Sequence, residues 1–406
     1  MASQSGRERS GLCVLFFLQA FALGLWGVNL SSVLKAYGLE SIVPYAYACS
    51  SIAALISPLA IGALADQRMA PERVLRVLGL GAAVFLSAMY YAIGHQWGAT
   101  WVLVLTLMHA LWSVPTFGLT TSIILSRLHQ PHENYGSVRL WATIGWMSAG
   151  WVVSFMLHAD TSVWSGYAAV VAWLLTVAFS FVLPPSKPAV EIRHRTLRDI
   201  FGIDALQLLR HPDHRIVIVT AALLNMVLAA FYPFAVLHLE DLGVAHVTAV
   251  MSLGQITEII SMLGLGWLLA RTRLKWVFLA GIGIGVLRYA LFVADCKWAL
   301  ITGIILHGFC FTFFFVTTQI YLERRIAPEM RARAQALLTL MMGGLGNLAG
   351  LLGCGWWRMA CQSGGHTDWR TYWAGMGLAT GMVFLFFALA YRGSKRMEHI
   401  EVLHVI

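Results

Sequence analysis

Two polar side chains inside an apolar segment are the strongest candidates for chemistry in this sequence. Gln255 and Glu258 lie three residues apart within the apolar run from Thr248 to Leu269, so on a helix they share one face. Of the 19 Asp and Glu residues, Glu258 is the only one that we predict deep inside such a run. A carboxylate in hydrocarbon is costly and is functional by default. We therefore predict a polar binding site with a titratable member; the alternative is a buried hydrogen bond between packed helices.

The composition indicates an integral membrane protein. Of the 406 residues, 59% are hydrophobic and 12% are charged, whereas a soluble domain carries about 25% charged residues. The formal net charge of +9 would suggest a nucleic-acid partner in a soluble protein. Here the positions of the basic residues explain the charge, and we predict no nucleic-acid partner. The six cysteines show no CxxC spacing and are interpreted as packing residues.

Twelve apolar runs of about 20 residues are candidate transmembrane helices. They are residues 11–35, 43–65, 73–94, 99–126, 138–157, 163–184, 215–238, 246–270, 275–294, 298–321, 332–355 and 370–391. The sequence thus predicts an all-α polytopic membrane protein. Residues 1–184 form a first six-helix bundle, residues 185–214 a cytoplasmic linker with an amphipathic segment, and residues 215–406 a second six-helix bundle with a cytoplasmic tail.

The basic residues predict the orientation in the membrane. If both termini are cytoplasmic, 22 of the 28 Lys and Arg residues lie on the cytoplasmic side and four lie outside. Arg139 and Arg288, which complete the set, lie within helices. This asymmetry fits the positive-inside rule and an even number of spans. We expect a multi-pass protein of a bacterial cytoplasmic (inner) membrane, surrounded by lipid.

A repeat links the two halves of the chain. The string GALADQR, which includes Gly62, Asp66 and Arg68, ends the second run, and GWLLARTR (266–273) ends the eighth. Parallel repeats related about the membrane normal are typical of major facilitator transporters. The first string resembles that superfamily's signature loop between helices two and three. We predict that Gly62, Asp66 and Arg68 have a gating role on the cytoplasmic side and do not bind substrate.

The fifth run carries a second polar face. Arg139, Thr143 and Trp146 follow i, i+4, i+7 spacing and offer a charged donor, a hydroxyl and an aromatic plate. The alternative is that Arg139, near the start of this run, extends to the cytoplasmic interface.

Three further residues in the second half are candidates. Arg288 in the ninth run needs a partner, either Glu258 or a backbone carbonyl, and we favour a structural or coupling role for it. In the tenth run His307 and Phe311 lie one turn apart. His307 is a candidate for substrate binding or titration, and a hydrogen-bonded packing histidine is an equal alternative.

Other motifs exclude some classes of protein. Gly346 and Gly350 in the eleventh run predict close helix packing, not nucleotide binding. The chain has no P-loop lysine motif and no nucleophile motif. An ATP-driven pump, a hydrolase or any other enzyme is therefore disfavoured, and we predict neither a cofactor nor a metal site.

Taken together, these residues resemble the nucleoside:proton symporters of the major facilitator superfamily. The resemblance is clearest in the strings VRLWATIG (138–145), QITE (255–258), LRYALF (287–292), HGFCF (307–311), ERRIAPEMRARAQ (323–335) and TDW (367–369). It implies that Arg139, Thr143, Trp146, Gln255, Glu258 and Phe311 line a central nucleoside site.

The chain departs from the pattern of this family at several site positions. His307 stands where family members of known specificity have tyrosine, and Trp146 stands where they have phenylalanine. Polar amides of the family align with Val227 and Ala230, and an acidic residue aligns with Thr312. These changes alter the hydrogen bonds available to a substrate, so the exact substrate stays open.

The sequence thus predicts a secondary transporter with twelve transmembrane helices and the major facilitator fold. We expect substrate near the midplane between the bundles and proton-coupled nucleoside import by alternating access. Glu258 is the expected proton carrier, because an apolar surrounding favours the neutral form of a carboxylate. We expect a monomer. The alternatives are a sugar or oligosaccharide proton symporter, an exporter of small amphiphiles, and, from another class, a membrane-embedded enzyme or a non-transporting sensor.

Overall fold

The computed structural model of the protein describes residues 6–65, 69–128, 131–183 and 203–393. Twelve helices, several of them interrupted, make up most of this part of the chain, and we number them α1 to α12. The first six are α1 (Gly6–Gly27 and Leu30–Ala36), α2 (Val43–Ala65), α3 (Pro71–Gly94), α4 (Ala99–Arg127), α5 (Pro131–Trp151 and the π-helical turn Val152–Met156) and α6 (Trp164–Phe179). The next three are α7 (Pro212–Leu228 and Phe231–Asp241), α8 (Val247–Met251 and Leu253–Arg271) and α9 (Leu274–Val293). The last three are α10 (Lys297–Ile305, His307–Phe311, the π-helical turn Thr312–Val316 and Thr317–Arg325), α11 (Pro328–Thr339, the π-helical segment Leu340–Gly346 and Asn347–Ala360) and α12 (Trp369–Ala390).

Short elements connect some of these helices. Glu40–Ile42 and Ile203–Arg210 are 3-10 helices, and β1 (Gln362–Ser363) pairs antiparallel with β2 (His366–Thr367).

Each of the twelve apolar runs corresponds to one helix. Within the described ranges, nine helices are long and apolar enough to cross a membrane by length and composition, counting interrupted helices as single spans. The helix α6 is a shorter apolar helix of 16 residues. The helix α2 coincides with the second run, and α5 contains most of the fifth run but begins earlier, at Pro131. The predicted all-α polytopic architecture with twelve helices is therefore confirmed.

The chain divides into two compact units. In its described part, the first unit comprises residues 6–65, 69–128, 131–183 and Phe231–Ser252, and the second comprises residues 203–230 and 253–393. The second piece of α7 and the first piece of α8 therefore pack with the first unit, although they belong to the second half of the sequence. Of the predicted linker, residues 185–202 lie outside the described ranges.

The same helix pairings occur in both units. In the first, α1 packs on α5 and α6, α2 on α4, and α3 on α4 and α6. In the second, α7 packs on α11 and α12, α8 on α10, and α9 on α10 and α12. Every pairing recurs six helices later, which is the internal repeat that the sequence indicates. At Gly346 and Gly350 the backbone of α11 approaches Ala222 and Met226 of α7, so the predicted close packing there is confirmed.

The interruption of α7 has a local cause. The helix breaks at Ala229 and Ala230 and resumes at Phe231. Pro233 has no N–H, and in a continuous helix its ring would clash with the carbonyl of Ala229, four residues earlier. The break therefore lies where the chain passes from the second unit to the first.

Asp368 fixes the start of α12 beside the hairpin. Its carboxylate accepts hydrogen bonds from the hydroxyl (2.6 Å) and the backbone N–H (3.1 Å) of Thr371. These two bonds hold the pKa of the Asp368 carboxyl below its usual range. The arrangement is a helix N-cap.

Candidate functional site

The first unit holds Arg139 above two aromatic rings. The guanidinium carbon lies 5.3 Å from the ring centroid of Phe117 and 5.8 Å from that of Phe16. The side chain is half-buried. Within the described residues it has neither a hydrogen bond nor an ion pair. Among these residues, its guanidinium contacts are with the two aromatic rings.

The structure also corrects the position of Arg139 along its helix. We predicted that the fifth span starts at residue 138, but α5 begins at Pro131. Arg139 therefore lies about two turns inside the helix. The predicted start was too late because residues 131–137 are polar, whereas the α5 backbone hydrogen-bonding pattern continues through them.

Thr143 and Trp146 share the face of Arg139 on α5. Thr143 is buried, and Trp146 is half-buried with its indole edge-on to the ring of Tyr232 at 6.0 Å. Tyr232 belongs to the piece of α7 that packs with this unit. Arg139, Thr143 and Trp146 thus form one stripe of a charged donor, a hydroxyl and an aromatic ring.

In the second unit, α8 and α10 approach each other so closely that their backbones touch. A side chain at Gly308 would collide with the backbone of Thr257 and Glu258, and one at Gly254 would meet the Cβ of His307. Glycine is needed at position 308 because a Cβ there would overlap the backbone of α8, whereas a Cβ at position 254 would make tight contacts. This packing brings Gln255 and Glu258 of α8 beside His307 of α10.

Hydroxyl groups fasten the same two helices together. The Ser261 hydroxyl donates to the Thr312 hydroxyl at 2.8 Å, and the Thr257 hydroxyl donates to the carbonyl of Ile305. Thr312 begins a π-helical turn, a feature that is frequent at functional sites. The sequence motifs did not reveal these contacts, because they depend on how α8 and α10 are aligned.

The candidate residues of this unit are well shielded. The exposed fraction is 4% for Gln255, 9% for Glu258 and 8% for His307. Phe311 is half-buried, with its ring 6.2 Å from the imidazole of His307. The two closely packed helices thus carry an amide, a carboxyl group, an imidazole and a phenyl ring. Such a group can hydrogen-bond a polar ligand, flank a flat ring and take up a proton.

Arg288 has a different surrounding. It is fully buried, and its Nε donates to the carbonyl oxygen of Gly303 at 3.0 Å. Gly303 lies on α10, one turn before His307. Of the two partners considered from the sequence, the backbone carbonyl is thus observed. Arg288 ties α9 to the helix that carries His307.

The residues assigned to gating are only partly described. Gly62 lies near the end of α2, while Asp66 and Arg68 lie outside the described residues. A few residues later in the sequence, Glu72 of α3 forms a buried ion pair with Arg127 of α4. The gating role of Gly62, Asp66 and Arg68 stays a prediction.

Comparisons with known proteins give the same family throughout the chain. The family model described as "Nucleoside H+ symporter" matches residues 8–396. The Escherichia coli (strain K12) protein YegT is 31% identical over 357 residues, which cover 84% of this chain and 82% of YegT. Xanthosine permease of the same organism is 28% identical over 97% of this chain and 99% of its own length.

A solved structure shares the fold. The crystal structure of a mutant of the nucleoside transporter NupG matches with a TM-score of 0.87 and 24% identity, covering 95% of this chain and all of that one. The family model spans nearly the whole sequence, so the similarity to this family extends over both halves of the chain. This chain has the predicted major facilitator fold and belongs to the nucleoside H+ symporter family.

Proposed function

We propose that this protein imports nucleosides together with protons. The observation that carries the proposal is the close packing of α8 on α10, two helices that carry the shielded side chains of Gln255, Glu258 and His307. A carboxylate that is 9% exposed within a membrane-spanning helix is costly unless it has a function. Membership of the nucleoside H+ symporter family supplies the class of ligand and of coupling ion.

Each unit contributes a different part of substrate recognition. Arg139 and Thr143 of the first unit donate hydrogen bonds to base or sugar oxygens. Gln255 and Glu258 of the second bind hydroxyl or ring N–H groups. The aromatic rings of Trp146 and Phe311 stack on or flank the planar base, an interaction whose strength depends little on base identity.

The imidazole of His307 can donate or accept a hydrogen bond, depending on the ligand atom that it meets. An imidazole offers one donor and one acceptor in its neutral form, so it can bind a hydroxyl or a ring nitrogen. It lies within the same shielded group as Glu258. His307 therefore contributes to substrate binding, and it is the second candidate for proton transfer if Glu258 is not the carrier.

Glu258 carries the coupled proton in this proposal. Its protonated form binds substrate as a neutral group, and release of the proton to the cytoplasm accompanies release of the nucleoside. This order makes uptake depend on the proton gradient. Arg288 supports the packing of the helices, and the loop that contains Gly62, Asp66 and Arg68 supports gating. None of these residues contacts substrate.

The remaining features of the proposal concern the membrane. Both termini and the 185–214 linker lie in the cytoplasm, as the distribution of basic residues indicates. The protein works in a lipid bilayer as a monomer. A reporter fused after Ile406 should read cytoplasmic, and one inserted near Gly364 should read external.

Uptake into proteoliposomes tests the function. Purified protein is first screened by thermal shift against nucleosides and sugars, since a ligand that binds the folded state raises its Tm. Labelled uridine, xanthosine and lactose are then offered under an inward proton gradient. We expect gradient-driven uptake of a nucleoside and none of lactose. Uptake of lactose alone would overturn the proposal in favour of a sugar symporter.

A further inference from the structure

The second piece of α7 and the first piece of α8 are attached to the first unit by polar contacts. Near the end of α7, the Lys35 ammonium lies 2.5 Å from the carboxylate of Asp241 and 3.8 Å from that of Glu240. These side chains are partly exposed, and exposed ion pairs contribute little. The firmer attachment lies at the start of α8.

Two side chains from the end of α5 and the following loop cap α8. One carboxylate oxygen of Asp160 accepts from the backbone N–H of Thr248 (2.9 Å) and from the Ser154 hydroxyl (2.8 Å). The Ser154 oxygen in turn accepts from the N–H of Ala249 at 3.0 Å. The first N–H groups of a helix have no partner within it. Residues from elsewhere in the chain thus perform the capping of α8.

The helix does not cap itself. His246, which precedes its first residue, has a left-handed backbone (φ 56°) and makes no side-chain cap. The imidazole Nδ1 of His246 instead bonds the carbonyl of Ser154 at 3.2 Å, in the π-helical turn that ends α5. The donors of α8 therefore depend on Ser154 and Asp160.

The capping residues are themselves held in place. The side-chain amide of Asn29 donates to the carbonyls of Ala159 and Asp160, both at 3.1 Å. Ser154 is fully buried, and Thr248 is 1% exposed. Burial therefore protects the bond between Ser154 and Ala249 from water, whereas the Asp160 carboxylate is half-buried.

We propose that Ser154 and Asp160 form a latch for α8 that opens and closes in each transport cycle. This inference rests on the proposed transport function. The latched helix is the one that carries Gln255 and Glu258, two to three turns further along. Ser154 and Asp160 are thus positioning residues: they touch neither substrate nor the coupled proton, and they fix the start of α8 against the rest of the first unit until the contact is released.

A reversible cross-link tests whether the latch must open. The Ser154 oxygen lies 3.0 Å from the backbone nitrogen of Ala249, so cysteines at these two positions are close enough for a disulfide after small adjustments. In the double variant Ser154→Cys, Ala249→Cys, we expect oxidation to reduce nucleoside counterflow at least tenfold and a reductant to restore it. Mass spectrometry verifies the link, and each single variant controls for oxidation of the six native cysteines.

Two outcomes would overturn the proposal. Linked protein that transports at the wild-type rate would show that the contact need not open. A double variant that the oxidant does not link would show that the two positions do not meet in the membrane. Absence of nucleoside counterflow in the unmodified protein would instead count against the proposed function. A second experiment, which measures hydrogen exchange and needs no substrate, would still test the latch.

The second experiment measures the cap without any substrate. In Asp160→Ala, we expect hydrogen exchange in the peptide covering residues 247–251 to speed up roughly fivefold, the factor that corresponds to a lost cap of about 1 kcal/mol. In Asp160→Asn the amide oxygen still accepts, so exchange should stay near the wild-type rate. Counterflow in Asp160→Ala should change in rate while the nucleoside Kd stays within about twofold. Unchanged exchange in Asp160→Ala would overturn the latch.

Discussion

The candidate residues of the two units are held in different ways. In the first unit they lie on a single helix, α5, and Arg139 is half-buried with ring faces as its nearest neighbours. In the second they come from α8 and α10, whose backbones touch at Gly308, and Gln255, Glu258 and His307 are each less than 10% exposed. The first unit thus leaves its charged side chain half-buried, whereas the second shields its carboxyl, amide and imidazole groups almost completely.

The two intramembrane arginines show what this difference means. Arg288 is fully buried and donates to the carbonyl of Gly303, so its guanidinium serves the packing of α9 on α10. Arg139 has no such bond within the described residues. A buried arginine with a backbone partner is a structural element, whereas a half-buried one over aromatic rings can give its donors to a ligand. Substitutions should therefore affect stability in one case and affinity in the other.

The largest effect should come from Glu258→Gln. The amide keeps the size and a hydrogen-bonding head but cannot ionise. We expect this variant to bind nucleoside and to exchange it across the membrane. It should fail to accumulate nucleoside against a gradient, and its flux should lose its dependence on pH between about 5 and 8. Counterflow and gradient-driven uptake in the same proteoliposomes measure the two activities separately.

The same assay distinguishes the competing role of Glu258. If the carboxylate is only a hydrogen-bond acceptor for the ligand, binding should fall while any residual uptake stays proton-driven. If the Glu258→Gln variant still accumulates nucleoside against a gradient in a pH-dependent way, another group carries the coupled proton. His307→Gln would then be the next variant to measure.

Arg139→Ala should give the second largest effect, on affinity. A lost hydrogen bond to a charged group is worth about 1.5–3 kcal/mol, or roughly 10- to 150-fold in Kd. The Tm without ligand should change little, because Arg139 has no bonded partner within the described residues. Binding is measured by titration of the purified protein with the nucleoside found in the thermal-shift screen.

Two variants control this prediction. Arg139→Lys keeps the charge but loses the planar fork of donors, so it should restore affinity only in part. Arg288→Ala should give the opposite pattern, a stability loss of about 2–4 kcal/mol from the missing bond and the void. Full affinity in both Arg139 variants would mean that this arginine only extends towards the membrane interface.

The sequence predicts the helices well and their contacts poorly. The twelve spans follow from hydropathy because the bilayer requires about 20 apolar residues per helix. The break of α7 at Ala229 could also have been predicted, since Pro233 stands four residues later. The packing of Gly308 on the backbone of Glu258 could not, because neither spacing nor hydropathy specifies which turns of two distant helices meet. The same holds for the capping of α8 by Asp160.

Gly308→Ala should have the third largest effect and tests the packing of the second unit. The added Cβ meets the backbone of Glu258, so α8 and α10 must move apart at a cost of about 1–3 kcal/mol. We expect a lower Tm together with weaker nucleoside binding. Gly266→Ala on α8 is the matched control, because its Cβ meets nothing within 4 Å. Equal Tm values for the two variants would mean that the close approach is not present in solution.

Gln255→Ala should have the smallest effect. A neutral hydrogen bond is worth about 0.5–1.5 kcal/mol, or roughly 2- to 13-fold in Kd, which is less than the loss expected for Arg139→Ala. Ile256→Ala, on the exposed side of the same helix at 39% exposure, is the matched control and should leave Kd unchanged.

A double variant that combines Gln255→Ala with Arg139→Ala tests whether the two units bind the nucleoside independently. If each side chain binds its own part of the nucleoside, the two losses in binding free energy should add within about 0.5 kcal/mol. A loss in the double variant no larger than that of Arg139→Ala alone would show that Gln255 binds substrate only when the arginine has engaged it.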